Sequence, residues 1–259
     1  MNKHLYNLKT AGYTVLKGAL SRERVETLRV GLDTLLLEDD ASWGADYLEA
    51  IRQRGALRNL CNEGLAFEEL LSDSPVYQVI TELIGNDYIL HSYDGLVLLP
   101  GDGRFPWDFH TDLTILQGVA FPADKCPGVN CLYYIDETTA LNGATWLVAS
   151  SHRSVLSDPS AEDLEKMAFQ AVGEPGDALI FDSRLWHCAG ENRSTMPRRL
   201  IKTLFCNSWI RPQMDYSRAV RPEVRARLDE RTRRLIGVGV VPPDNVADLR
   251  KALAGELSV

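Results

Sequence analysis

The chain has no cysteines spaced C-x-x-C, no apolar run of membrane-spanning length and no excess of positive charge. Each absence closes a class of function. The five cysteines, at positions 61, 126, 131, 188 and 206, form no metal-ribbon or dithiol pattern, so reduced, packed thiols are expected. The opening residues, MNKHLYNLKTAGYTVL, lack the apolar core of a secretion signal, and a cytoplasmic protein with no membrane partner is expected. A net charge of −8 leaves little with which to neutralise phosphates, which argues against a nucleic-acid partner. What is present is an ordinary globular balance, 45% hydrophobic and 25% charged. The length of 259 residues suits one large β-barrel or sandwich, or two smaller domains.

Local patterns predict a short strand at Tyr13–Leu16 and a helix capped by Ser21 that ends near Leu37. Val25, Leu28, Leu32, Leu35 and Leu36 recur at helical spacing, so one face is buried. The polar stretch Glu38–Gly44 is expected to be a loop. Pro75–Ile84 reads as another helix, with Pro75 in its first turn and Gly85 past its end. Residues 20–85 are thus a helical support. From Tyr88 the pattern changes to short β-rich segments: Tyr88–Tyr93, Gly95–Leu99, Asp108–Thr114, Val129–Ile135, Thr145–Ala149, Phe169–Val172, Ala178–Phe181, Leu185–Cys188 and Leu200–Trp209. Many short strands at this spacing predict a barrel or double-sheet jelly roll over about 88–210. The tail, 221–256, is helical and charged. Its arginines 225, 227, 231, 233 and 234 interleave with Glu223, Asp229 and Glu230, which predicts a solvated face. With no repeat and no low-complexity linker, 1–259 is expected to be a single domain.

The stretch FPWDFHTDLT (105–114) carries the chemistry. One residue separates His110 from Asp112, which places both on one face of an extended strand. A histidine and a carboxylate converging in this way are two-thirds of the 2-His-1-carboxylate triad that holds non-haem Fe(II) and leaves positions open. The second histidine is His187, in GDALIFDSRLWHCAG, on a different predicted strand. The others are weaker candidates: His4 lies at the terminus, His91 one strand ahead of the site, and His152 at the start of the loop SHRSVLSD.

Four segments together resemble the phytanoyl-CoA dioxygenase family of Fe(II)/2-oxoglutarate-dependent oxygenases. AGYTVLKGALSRERVETLR is similar to that family's opening strand, turn and helix. FHTD resembles its W-H-x-D segment, with Phe109 in place of the usual Trp. YYIDETTALNGATWLVASSHRS resembles its D-x-x-x-x-x-N-G-x-x-x-x-x-x-G-S-H segment, with Ala149-Ser150 where Pro-Gly is common. GDALIFDSRLWHCAGENRSTMPRRLI resembles the segment that carries its second histidine and co-substrate arginine. The similarity runs over residues 7 to 210 and leaves the C-terminal helices unmatched.

The resemblance implies a mainly β protein with supporting helices and a double-stranded β-helix (jelly roll, cupin-like) core. It implies Fe(II) held by His110, Asp112 and His187, with 2-oxoglutarate and O2 as co-substrates and release of succinate and CO2. The hard chemistry then belongs to metal and co-substrate, and the protein supplies geometry and a dry cavity. The far carboxylate of 2-oxoglutarate suits a planar guanidinium. Alternation along the strand leaves Arg198 and Arg199 open for that role, with Lys202 as an alternative cation further along the strand, and the family's spacing after the second histidine favours Arg198. Tyr93, Arg104, Trp107, Thr145, Trp146, Arg184 and Trp186 lie near these segments and are candidates to face a small-molecule substrate. Asn142-Gly143 and Asn192 read as turn residues. Hydroxylation of a small metabolite is the expected activity. The alternatives are a cupin-type metal enzyme that does not use 2-oxoglutarate and a non-catalytic binding module.

Overall fold

A computed structural model describes residues 2–103, 109–113, 121–122, 125–153, 159–240 and 245–255. Nine strands are defined among them. They are β1 (Tyr13–Leu16), β2 (Ala56–Leu57), β3 (Tyr88–Leu98), β4 (Gly128–Tyr134) and β5 (Trp146–Leu147), followed by β6 (Phe169–Gln170), β7 (Ala178–Asp182), β8 (His187–Cys188) and β9 (Arg198–Asn207). Six form a large antiparallel sheet in the order β1-β7-β4-β9-β3-β2, and three form a small sheet in the order β6-β5-β8. An isolated antiparallel bridge from His110 to His187 extends the small sheet along its β8 edge.

The large sheet is covered on both faces. One face meets the small sheet through Leu132, Tyr134, Leu147, Leu179, Phe181 and Leu200. The other meets the helices, with Tyr93, Cys131, Tyr133, Ile201 and Phe205 packed against Leu28, Leu32, Phe67 and Ile80. This is why β4 is buried at all seven positions, where a sheet wet on one side would alternate. Two facing antiparallel sheets with helices on the outside make the architecture a double-stranded β-helix core with helical support. Among the described residues no helix is long and apolar enough to cross a membrane.

The main supporting helix spans Arg22–Trp43, and the Ser21 side chain caps it by accepting from the Arg24 amide. Fully burying Leu28 and Leu32 contributes roughly 1.5–3 kcal/mol each. The close approach needs Gly95 on β3, where a Cβ would come within 2.4 Å of Leu32 Cδ2. The expected loop at Glu38–Gly44 is instead helical through Trp43. Nothing in Glu38–Trp43 breaks a helix, and Gly44, at φ 87°, ends it. The helix after Pro75 begins at Tyr77, two residues later than expected, and closes on Gly85 as expected. Segments Tyr88–Tyr93 and Gly95–Leu99 are one strand, with an irregularity in its pairing to β9 between Leu90 and Ser92.

Arg227, Arg231 and Arg234 of the C-terminal helices are exposed, as expected, and they also make specific contacts. Arg227 pairs with Glu68 at 2.6 Å, Arg234 pairs with Asp87 at 2.8 Å, and Arg231 lies over the Tyr77 ring. These surface contacts fasten the tail to the helical layer and to the loop ahead of β3. All five cysteines are free and buried, as expected.

Candidate active site

His110 and His187 face one another because their backbones exchange both hydrogen bonds. The His110 amide donates to His187 O at 2.9 Å and the His187 amide to His110 O at 3.0 Å. The two rings lie 4.3 Å apart, centroid to centroid. Two residues on, the Asp112 amide donates to Ser183 O, which keeps the carboxylate on the same side as the His110 ring. The ligand atoms of His110, Asp112 and His187 all fall within 4.8 Å of one another, an arrangement that could hold a metal ion.

The protonation states suit that role. His187 Nδ1 lies 2.8 Å from Leu185 O, which can only accept, so the proton sits on Nδ1 and the Nε2 lone pair is free. Burial pushes the His187 imidazole down to about 4, against a lesser opposing pull from Asp112, so it is neutral at pH 7. For Asp112, burial alone would raise the carboxyl. The Lys202 ammonium, the two imidazoles and the Asn130 amide overcome it and hold the group well below the usual carboxylate range. Asn130 Nδ2 donates to Asp112 Oδ2 at 2.6 Å, and Lys202 Nζ lies 3.6 Å from Oδ1. Two imidazoles and one fixed carboxylate are a donor set for a hard to borderline divalent cation.

The cavity beside the triad measures about 90 Å³ and is lined by His110, His187, Thr145, Leu200, Arg198 and Lys202, among others. A water needs about 10–15 Å³, so a small polar ligand can be accommodated. Arg198 is 3% exposed and donates to Gly143 O at 2.7 Å and to Asn142 O at 3.4 Å. Among the described residues it has no carboxylate partner. Burial lowers its guanidinium to about 10, still cationic at neutral pH. Arg199 points the other way, to Asp33 at 2.6 Å on the supporting helix and to Asp136 at 2.9 Å. Of the two adjacent arginines, only Arg198 reaches the cavity.

The substrate candidates divide. Thr145 lines the cavity, whereas Tyr93 is a correction: it is fully buried on the helical face of the large sheet and its hydroxyl donates to Phe67 O. Trp146 and Trp186, next in sequence to Leu147 and His187, do not line this cavity among the described residues. Arg184 is engaged by Asp182 at 2.8 Å. Arg104 and Trp107 lie outside the described residues, as do the ends of the expected strand Asp108–Thr114. Within 109–113 the chain makes the single His110 bridge, and Leu113 takes a left-handed φ of 59° that ends any regular strand.

The turn residues hold the frame. Asn142 Nδ2 donates to Glu137 O, and Asn192 Nδ2 donates to Leu98 O and Met196 O. Asn142-Gly143 has a further use, since its carbonyls receive Arg198. Sequence reasoning missed Asn130. A polar residue inside the otherwise apolar strand VNCLYY was the available signal.

Comparison with known proteins places this geometry. A family profile described as phytanoyl-CoA dioxygenase (PhyH) matches residues 8–200. The uncharacterized protein Rv1501 of Mycobacterium tuberculosis is 27% identical over 236 residues, covering 89% of this chain and 84% of its own. Dioxygenase cdmD of Talaromyces verruculosus is 27% identical, covering 74% of this chain and 69% of its own. Among solved structures, EctD from S. alaskensis with 2-oxoglutarate and 5-hydroxyectoine superposes with a TM-score of 0.68 at 21% identity, covering 82% of this chain and 78% of that one. The non-heme monooxygenase ThoJ–Ni complex gives a TM-score of 0.62 at 16% identity, covering 82% and 80%. These structures share the double-stranded β-helix fold. With the profile spanning most of its length, the chain belongs to the phytanoyl-CoA dioxygenase family.

Proposed function

We propose that this protein is an Fe(II)- and 2-oxoglutarate-dependent dioxygenase that hydroxylates a small-molecule metabolite, the whole chain acting as one domain. His110, Asp112 and His187 would hold the iron, and Arg198 would receive the far carboxylate of 2-oxoglutarate. The observation that carries this reading is the pairing of a His-Asp-His cluster with a buried guanidinium lacking any described carboxylate partner, on one cavity. An uncompensated buried charge costs several kcal/mol, so its persistence is accounted for by an anionic ligand that completes the site. When bound, iron and 2-oxoglutarate supply the oxidising chemistry, with O2 consumed and succinate and CO2 released.

The chain's own residues supply the setting. Leu185 O fixes the His187 tautomer, Asn130 orients the Asp112 carboxylate, and Leu200 and Phe181 keep the cavity wall apolar. The dioxygenase names of the fungal relatives and the 2-oxoglutarate in the EctD structure agree with this reading. Anaerobic titration with Fe(II) and then 2-oxoglutarate, followed by a metabolite screen for succinate, is the test. Metal binding without any 2-oxoglutarate complex would move the protein to the cupin-type class that does not use it. Failure to bind Fe(II) would leave only a binding module.

A further inference from the structure

Strand β9 sends alternate side chains inward, and two of them, Arg198 and Lys202, are cations on the same cavity. Four residues of strand separate their Cα atoms by about 13 Å, so they serve different points of a ligand. Arg198 is engaged by the carbonyls of the Asn142-Gly143 turn, away from the triad. Lys202 is at the triad itself, its Nζ 3.6 Å from Asp112 Oδ1. The other oxygen, Oδ2, takes the Asn130 amide and lies 3.4 Å from His187 Nε2, so it is the oxygen turned toward the metal position.

The Lys202 contact is loose. A charge-assisted N–H···O hydrogen bond is typically about 2.7–2.9 Å, and this separation is 3.6 Å. Asp112 is the one carboxylate paired with this ammonium among the described residues, and the side chain keeps 22% of its exposure. A divalent metal bound by Asp112 would bring two further positive charges close to it. With Arg198, the loaded cavity would carry three net positive charges, and a dicarboxylate would remove two.

We infer that Lys202 is a second carboxylate anchor: it neutralises Asp112 while no metal is bound, and turns to the metal-chelating carboxylate of the ligand once the metal takes Asp112. The inference rests on the proposed function above and extends it, since it makes metal and ligand binding interdependent. The ammonium opposes the metal until an anionic ligand arrives, and by linkage the ligand tightens the metal by the same factor. A lysine that only held Asp112 in place would act in the opposite sense, because its loss would loosen the metal.

Cobalt(II) is the probe, titrated calorimetrically into wild type, Lys202→Met, Lys202→Gln and Lys202→Arg, followed by oxalate or 2-oxoglutarate added to each cobalt protein. Oxalate chelates a metal but is too short to reach Arg198. The expected result is cobalt bound on the order of tenfold more tightly by Lys202→Met and Lys202→Gln, through removal of the repulsion. Both should bind oxalate and 2-oxoglutarate on the order of tenfold more weakly, with Lys202→Arg close to wild type on each count. Arg198→Ala should lose affinity for 2-oxoglutarate and keep it for oxalate. Weaker cobalt binding by both neutral variants, or unchanged oxalate affinity, overturns the assignment. Absence of cobalt binding by wild type would remove the metal reading and this inference with it. Normal wild-type binding with indifferent Lys202 variants would remove the inference alone.

Discussion

Replacing Arg198 with alanine tests the link between fold and proposed chemistry most directly. The side chain is 3% exposed, and among the described residues its hydrogen-bond partners are two carbonyl oxygens and no carboxylate. Losing one partner of a buried, charge-assisted pair costs about 2–5 kcal/mol, which corresponds to roughly thirtyfold to several thousandfold in 2-oxoglutarate affinity. Stability should change less. The substitution strands Gly143 O, at about 1–3 kcal/mol, but also relieves a desolvated guanidinium. Metal binding should be spared, because Arg198 has no described contact with His110, Asp112 or His187. The control is Arg199→Ala, which removes a forked pair to Asp33 and Asp136 on the opposite face. It should lower the melting temperature while leaving 2-oxoglutarate affinity nearly unchanged. The assay is 2-oxoglutarate titration of each variant under anaerobic Fe(II), paired with thermal denaturation. Normal affinity in Arg198→Ala, or steep loss in Arg199→Ala, would refute the reasoning and place the anchor elsewhere.

Three further outcomes follow from the same geometry. Asp112→Ala should abolish turnover with circular dichroism close to wild type, because the carboxylate caps no element of the core; near-normal turnover without added carboxylate would break the triad assignment. Burial pushes His187 and His91 down to about 4 from 6.5, so the unfolded chain takes up protons at higher pH than the folded one. The stability they contribute is present above about pH 6.5 and lost as pH falls toward 4, so a flat melting temperature of the metal-free protein over that window would show both imidazoles to be solvated. Because Asp112 fills the third ligand position, the wild type run in chloride buffer should give oxidised products without halogen, and mass spectrometry finding a chlorinated product would contradict this.

Local chemistry in the sequence determined a good deal. Ser21 before an apolar period of 3.6 marked the supporting helix, and Tyr13–Leu16 was legible as a strand to the residue. The two-residue spacing of His110 and Asp112, with His187 far along the chain, was enough to name the cluster, since pleat geometry fixes which side chains can share a face. Tertiary structure decided the rest. Both faces of the large sheet are buried, one by helices and one by the small sheet, so alternation in β3, β4 and β9 distinguishes two interiors rather than inside from outside. That is why Tyr93, apolar and near the site in sequence, belongs to the helical face, and why Arg198 and Arg199 could not be separated by pattern. The partners of Asp112 were hidden for the same reason. Asn130 and Lys202 come from neighbouring strands, and only the pairing of β4 with β9, Asn130 against Leu204 and Leu132 against Lys202, brings them to one carboxylate.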